Sequence, residues 1–352
     1  MRRDDLNAVH GVQVGVERPP THPTHPTPPT GFEPAAADED ANDAGSDGFY
    51  TEAIPLDDST QVHVTLAADD GAAPASLFAF SVWNGARRLA RHLAQHPRLV
   101  RGRTIIEFGA AGALPSLAAL RHGCRFALLT DFPSPPLLQA MERTLADPRN
   151  AAALGMGLGL EESSVGRHRR AAVLPHLWGE DTEPLLAALP DGAASRGFDV
   201  ALVGECLWLH NQHASLLKSI HGCLRPGGQA SVDLGVHAFM HRSDQGSCVF
   251  GVPTGTPPRT QNQIQTQAFV SFSHHVPGCE AQDLAFFDLA AASEDSDGGR
   301  AFFAVEKLGE EPMPHAHARG RVAVQFLYQL VKKGGGDGKG DRKEGEIEKL
   351  MV

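Results

Sequence analysis

The chain has 352 residues and a formal net charge of −11, from 31 Lys and Arg against 42 Asp and Glu. That balance, with no basic stripe or interleaved aromatic patch, argues against a nucleic-acid partner, and no apolar run is long enough to cross a bilayer. The N-terminal "MRRDDLNAVHGV" lacks the apolar stretch of a secretory signal, and five scattered cysteines without CxxC spacing (Cys124, Cys206, Cys223, Cys248, Cys279) read as reduced thiols in a cytosolic or nuclear protein.

In chain order, residues 1–48 are rich in Pro, Thr, Ala and acid and poor in large apolar groups. Such a segment cannot bury enough surface to offset its ordering entropy, so disorder is expected there and in the charged tail 332–352. The folding unit is therefore 49–331. Apolar groups at Val82, Ala86, Leu89 and Leu93 repeat with helical period up to Pro97. "RTIIEF" is an apolar run fit for a buried parallel strand. Pro115 then suits a first helical turn, and Gly123 a helix end. "RFALLTD" is a second strand ending in Asp131, followed by the helix "LLQAMERTL". "AAVLPHLWG" and "FDVALVGE" are a third and a fourth strand, and a helix is expected around "HNQHASLLKSIHGCL" before "RPGG" turns the chain into a fifth strand. Strands alternating with helices at this spacing predict a doubly wound parallel sheet, whose ligand lies beyond the carboxyl ends of the strands.

The informative residues should therefore follow the strands. Glu107 and Gly109 follow the first, and Asp131 ends the second. An acid about 20 residues beyond a glycine loop is placed to accept hydrogen bonds from ribose hydroxyls. Taken singly, these are equally well a turn glycine and a capping aspartate; together with Trp83, Trp178 and Gly204 they favour a nucleotide site. In "EFGAAGALPS", Ala111 and Ala113 stand where a dinucleotide loop has its second and third glycines. Their methyls would crowd a pyrophosphate, which S-adenosylmethionine lacks, so the loop favours a methyltransferase over a dehydrogenase.

"VWNGARRLARHL", "IIEFGAAGALPSLAAL", "LLTDFPSPPLL", "LWG", "FDVALVGECLWLHNQHASLL" and "DLAFFDLA", in this order, resemble the fungal elongation factor 1-alpha N-terminal and lysine methyltransferase family. Members are often labelled nicotinamide N-methyltransferase-like. The resemblance runs from about Ser76 to Tyr328. It implies a Rossmann-like, seven-stranded class I methyltransferase sheet with helices on both faces, S-adenosyl-L-methionine as cofactor, and elongation factor 1-alpha as protein partner in the cytoplasm. It implies that Trp83 packs beside the methionine end of the cofactor. Glu107, Gly109 and Ala111 would form the loop, Asp131 would bind ribose, and Phe132 and Trp178 would flank and cover adenine. Gly204 would contribute backbone near the adenosyl group.

The chain also departs from the family. Gly204-Glu205 replaces the family's Ser-Asp or similar pair, and Leu209-His210 replaces an "NH" pair. His210 and His213 lie three apart, but no third metal ligand is evident, so a solvated helix face and no metal are expected. "TQAFVSFSHHVPG" arrives some forty residues late; removing 230–267 joins Gln229 to Ala268 and restores a "GGQAFVSFSHHVPG" strand. The extra stretch reads as a surface loop or as a translated, unspliced intron.

An amine must lose its proton before it can attack a methyl group. An α-amine with a pKa of ~8 needs little help, and a lysine at ~10.4 needs desolvation or a base. Glu205, His274 and His275 are the catalytic candidates, with Trp208 at the same lip; for the histidine pair an ordinary turn is an equally good reading. Three functions remain open: a protein N-methyltransferase, a small-molecule N-methyltransferase of nicotinamide type, and an inactive methyltransferase-like binding module. Few aromatics, 6% of the chain, favour an open protein groove over an enclosed aromatic pocket.

Overall fold

A computed structural model describes residues 47–57, 59–68, 79–154, 170–190, 197–226, 265–274, 277–292, 302–315 and 320–333. The expected surface loop or retained intron at 230–267 lies outside them except for its last three residues. So do His275 and nearly all of the two segments expected to be disordered.

An antiparallel hairpin, β1 (Phe49–Pro55) and β2 (Gln61–Ala67), precedes the sheet domain. The sequence reading did not identify it. Helix α1 (Asn84–Gln95) follows, then β3 (Thr104–Phe108), α2 (Leu114–Arg121), β4 (Phe126–Asp131), α3 (Pro135–Ala146), α4 (Pro148–Ala153), β5 (Ala171–Pro175), α5 (Glu183–Ala187), β6 (Val200–Gly204), α6 (His213–Cys223), β7 (Gln267–Phe272), α7 (Glu280–Ala291), β8 (Phe303–Pro314) and β9 (Val322–Lys332). The sheet order is β5-β4-β3-β6-β7-β9-β8. Strands β3 to β7 run parallel, and β9 is antiparallel to both β7 and β8. A seven-stranded sheet that winds outward in both directions from β3, with one reversed strand next to its far edge, is the class I methyltransferase architecture. Its switch point lies between β3 and β6, the place where doubly wound sheets bind ligands.

Strand alternation sorts the core into two layers. Ile105, Leu129, Leu202 and Phe269 face the layer built on α1, α2 and α3, with Leu89, Leu93, Leu117 and Met141. Ile106, Phe108, Leu128, Val203 and Val270 face the layer built on α5, α6 and α7, with Leu185, Leu216, Ile220 and Phe286. The central strands are covered on both faces, so they read as unbroken apolar runs. Each fully buried Leu or Phe stabilises the fold by roughly 2 kcal/mol.

The hairpin supports the first loop from below. Val62, Val64 and Leu66 of β2 are buried in the first layer. A Cβ on Gly112 would stand 2.5 Å from Val64 Cγ1, so only glycine lets β2 approach this closely. Asn150 donates to the His63 carbonyl at 2.7 Å, and the Thr65 N–H donates to Thr144 Oγ1 at 2.9 Å, fixing β2 to α3 and α4.

Strand β7 starts at Gln267 and is buried along its whole length. The strand that pairs with β6 is thus the late-arriving "QAFVSF", and its carboxyl end leads directly to Ser273 and His274.

Candidate active site

Four strand ends converge where the parallel strands terminate. After β3, the chain passes through Gly109, Ala111 and Ala113, all with left-handed backbone (φ 65°, 42° and 56°). For alanine this conformation costs about 1–2 kcal/mol per residue. The loop is nevertheless held in place: the Ala110 N–H donates to the Thr130 carbonyl at 3.1 Å, and the Ala111 N–H donates to Asp131 Oδ2 at 2.7 Å. The Ala113 methyl is buried in the first core layer, and Ala111, like Phe49 and Phe132, packs against the small cluster of Ala67, Ala79 and Leu137. A Cβ on Gly109 would lie 2.6 Å from Cys206 Sγ and 3.6 Å from Trp178 Cζ2, so bare backbone is required there as well.

Asp131 ends β4 and is buried. Its Oδ1 accepts the Phe132 N–H at 2.7 Å while Oδ2 takes that of Ala111. Burial raises its pKa, against the lowering effect of these two donors. Each oxygen uses one lone pair in this way and keeps another. Glu107 is 2% exposed and accepts the Ser116 N–H at 2.9 Å. Burial pushes its carboxyl up to about 8 despite the Ser116 donors.

Trp178 follows β5 and sits between two anchors on one hydroxyl of α6. His176 Nε2 and the Gly179 N–H each lie 2.8 Å from Ser219 Oγ. That fixes the half-buried indole against the second core layer, beside Gly109.

Beyond β6, Glu205 also adopts left-handed backbone, φ 56°. Its N–H donates to the Ser271 carbonyl of β7 at 2.8 Å. Its carboxylate accepts the Gly85 N–H of α1 at 2.8 Å, Gln325 Nε2 of β9 at 2.9 Å and the Ser273 N–H at 3.0 Å. One side chain therefore ties β6 to α1, β7 and β9, and Trp83, the N-cap of α1, lies two residues from its Gly85 contact. Gly85 has to be glycine, since a Cβ would stand 2.6 Å from Glu205 Cγ. Gly204 faces the α1 backbone, with a hypothetical Cβ 3.4 Å from Ala86 Cα.

Cys206 lies among these groups. Burial, and then the charges of Asp131, Glu205 and Glu107, hold its thiol well above its ordinary pKa. The buried acids Glu107, Asp131 and Glu205, at the ends of β3, β4 and β6, thus lie near one neutral thiol.

The sequence reading placed His210 and His213 on a solvated helix face, and the structure corrects this. His213 is 3% exposed and donates from Nε2 to the Leu207 carbonyl at 2.7 Å, and burial lowers its pKa. His210, in a 3-10 turn, reaches Asp283 of α7. His274 reaches the same Asp283, a residue the sequence reading missed. Asp283 opens the apolar run "DLAFF", with Glu280 beside it in the first turn of α7. Among the described residues, no group of three or more His, Cys, Asp or Glu could hold a metal ion, and no helix is long and apolar enough to cross a membrane.

No protein-family model matches the chain. Among solved structures, it is similar to a putative S-adenosylmethionine-dependent methyltransferase from Streptococcus mutans, with TM-score 0.42 and 9% identity over 80% of this chain and 55% of that one. It is also similar to an O-methyltransferase from Bacillus cereus, with TM-score 0.39 and 12% identity over 74% and 86%. Curated relatives carry sequence similarity as well. The Neurospora crassa protein N-terminal and lysine N-methyltransferase efm7 is 29% identical over 61% of this chain and 60% of its own length. The Eremothecium gossypii protein N-terminal and lysine N-methyltransferase EFM7 is 33% identical over 54% of this chain and 71% of its own length. With that identity across that share of a relative, the chain belongs to the EFM7 family of protein N-terminal and lysine N-methyltransferases, and S-adenosylmethionine is its methyl donor.

Proposed function

We propose that this chain methylates the α-amino group, a lysine, or both, of translation elongation factor 1-alpha in the cytoplasm. The relatives' names support amino-terminal and lysine acceptors. The resemblance of its motifs to the elongation factor methyltransferases supports that particular acceptor. The observation that carries the site assignment is Asp131 at the end of β4, whose Oδ2 accepts the Ala111 N–H of the loop after β3 at 2.7 Å and whose Oδ1 accepts the Phe132 N–H, leaving a lone pair on each oxygen for the hydroxyls of a ribose.

When bound, S-adenosylmethionine supplies an electrophilic methyl group on a sulfonium. The residues present fit it. The two free lone pairs of Asp131 suit the vicinal hydroxyls of a ribose, and the Trp178 indole and Phe132 suit the faces of adenine. Gly109 and Ala111 line the close approach, with Glu107 behind them and Gly204 opposite. Trp83, at the N-cap of α1 near Glu205, suits the methionine end. Glu205 acts by holding α1, β7 and β9 around a negative charge that draws in an ammonium. His274 acts at the lip, where the amine gives up its proton, and His275, the next residue in the sequence, is the second candidate for that proton. Most of the rate acceleration then comes from holding nitrogen, methyl and sulfur in line.

Incubation with labelled S-adenosylmethionine and, in separate reactions, purified elongation factor 1-alpha and nicotinamide tests this reading. Label in the elongation factor supports it. Label only in nicotinamide overturns it in favour of a small-molecule enzyme, and label in neither, with no donor binding by calorimetry, points to an inactive binding module.

A further inference from the structure

One carboxylate at the lip serves two histidines. Asp283, in the first turn of α7, is 3% exposed. His210 Nε2 lies 2.6 Å from its Oδ1, and His274 Nδ1 lies 2.7 Å from its Oδ2. The two rings come from neighbouring strand ends: His210 from the segment after β6, His274 from two residues beyond β7. Both keep partial exposure, 24% and 21% of the side chain. His274 is also held by rings, with Phe326 at 5.0 Å and Phe272 edge-on at 5.5 Å. His274 follows Ser273, whose N–H is bound to Glu205. An unbroken chain of contacts therefore runs from Gly109 through Cys206, Glu205 and Ser273 to His274.

We infer that Asp283 is a positioning residue that makes His274 the proton acceptor for the incoming amine. This rests on the N-methyltransferase reading above. An ionised carboxylate only accepts hydrogen bonds, so each neutral ring presents its N–H to Asp283. That fixes His274 with hydrogen on Nδ1 and a lone pair on Nε2, away from Asp283. It fixes His210 in the opposite tautomer, with its lone pair on Nδ1. His210 occupies the second oxygen of Asp283 and holds the carboxylate in register for His274.

The step balances as follows. The substrate ammonium passes one proton to His274 Nε2, giving a free amine and an imidazolium paired with Asp283. The amine lone pair forms the new N–C bond, the methyl–sulfur bond breaks, and its electron pair remains on sulfur as a thioether. The imidazolium returns its proton to solvent through its exposed edge. A buried acid sharing a histidine in this way stabilises the imidazolium and fixes the tautomer without taking up the proton itself. Among the described residues, the other charged or titratable groups near the pair include His213 of α6 behind His210, Glu280 of α7, Glu205 through Ser273, and Lys307, whose ammonium lies 5.0 Å from the Phe326 ring.

The test uses the full chain, S-adenosylmethionine and elongation factor 1-alpha, comparing wild type with Asp283→Asn, His274→Gln and His210→Gln. The readouts are kcat against pH, KM for the elongation factor, and donor Kd. We expect Asp283→Asn and His274→Gln each to lower kcat at neutral pH by roughly 100-fold. Both should recover as pH rises and the amine deprotonates unaided, with KM and donor Kd unchanged. His210→Gln should lower kcat by less. Retention of the wild-type kcat and pH profile by Asp283→Asn and His274→Gln overturns the inference. So does a loss of kcat, KM and donor binding together with an unaltered pH profile, which marks a structural anchor. If Asp283→Asn does not fold, His274→Gln decides alone. An inactive wild type instead defeats the elongation factor reading, a different outcome from any of these.

Discussion

Asp131 and Ala111 are joined by one hydrogen bond: the carboxylate that ends β4 accepts, at 2.7 Å, the N–H of a left-handed alanine in the loop after β3. The acid thereby shapes the loop before any ligand arrives. The alanines that distinguish this loop from a dinucleotide-binding one keep the backbone that glycines would take, and the Asp131 contact to Ala111 and the buried Ala113 methyl offset the strain.

Asp131→Ala removes both proposed ribose acceptors. S-adenosylmethionine affinity should fall roughly 100-fold or more, since hydrogen bonds to a charged group are worth about 1.5–3 kcal/mol each. Calorimetry reads this directly. A donor Kd equal to wild type would remove Asp131 from the donor site. Thermal stability should fall as well, because the Ala111 and Phe132 N–H groups lose their acceptor.

Gly109→Ala places a methyl 2.6 Å from Cys206 Sγ at a left-handed residue. Strain and overpacking together should cost about 2 kcal/mol or more. Chemical denaturation measures it. The double variant with Cys206→Ala should regain the packing part and not the backbone part.

Glu107 gives a pH signature. Its folded pKa, about 8, lies above the ordinary 4.5 because burial disfavours the charged form. The stability it contributes is therefore fully present below about pH 4.5 and is lost as pH rises toward 8, where the folded protein must ionise it. The slope between these limits is at most about 1.4 kcal/mol per pH unit. Glu107→Gln keeps an acceptor for Ser116 and should flatten that part of the stability curve. An identical curve in wild type and variant would show that folding does not shift the Glu107 pKa.

Much of the fold is legible in the sequence because β3, β4 and β6 are buried on both faces, which leaves short apolar runs that nothing else explains. The hairpin is harder to read. Its alternation is confined to Val62, Val64 and Leu66, and it follows a long polar segment. The strand-end positions of Gly109, Asp131 and Trp178 could be read because each follows or closes a short apolar run. The His210–Asp283 contact could not, since it spans 73 positions and joins two separate segments. The fixed contacts of Glu205 are equally hidden: Gly85, Ser273 and Gln325 come from three separate elements.

The stretch 230–267 is proposed to be dispensable, whether as a loop or as a translated intron. Gln267 opens β7 opposite Val200 and Val331, and its side chain accepts from Gln329; after deletion, Gln229 takes its place. The deletion variant should melt cooperatively and bind S-adenosylmethionine like the full chain. Aggregation or loss of donor binding would show that the stretch belongs to the fold. A mature transcript lacking these codons would identify them as an intron.

The most direct measurement is a peptide mass spectrum of elongation factor 1-alpha from cells of the native organism, with and without this gene. The proposed function predicts methyl groups on the amino terminus, a lysine, or both in the parent, their absence in the deletion, and their return on expression of wild type but not of Asp131→Ala. Identical methylation of the elongation factor in parent and deletion cells would contradict it.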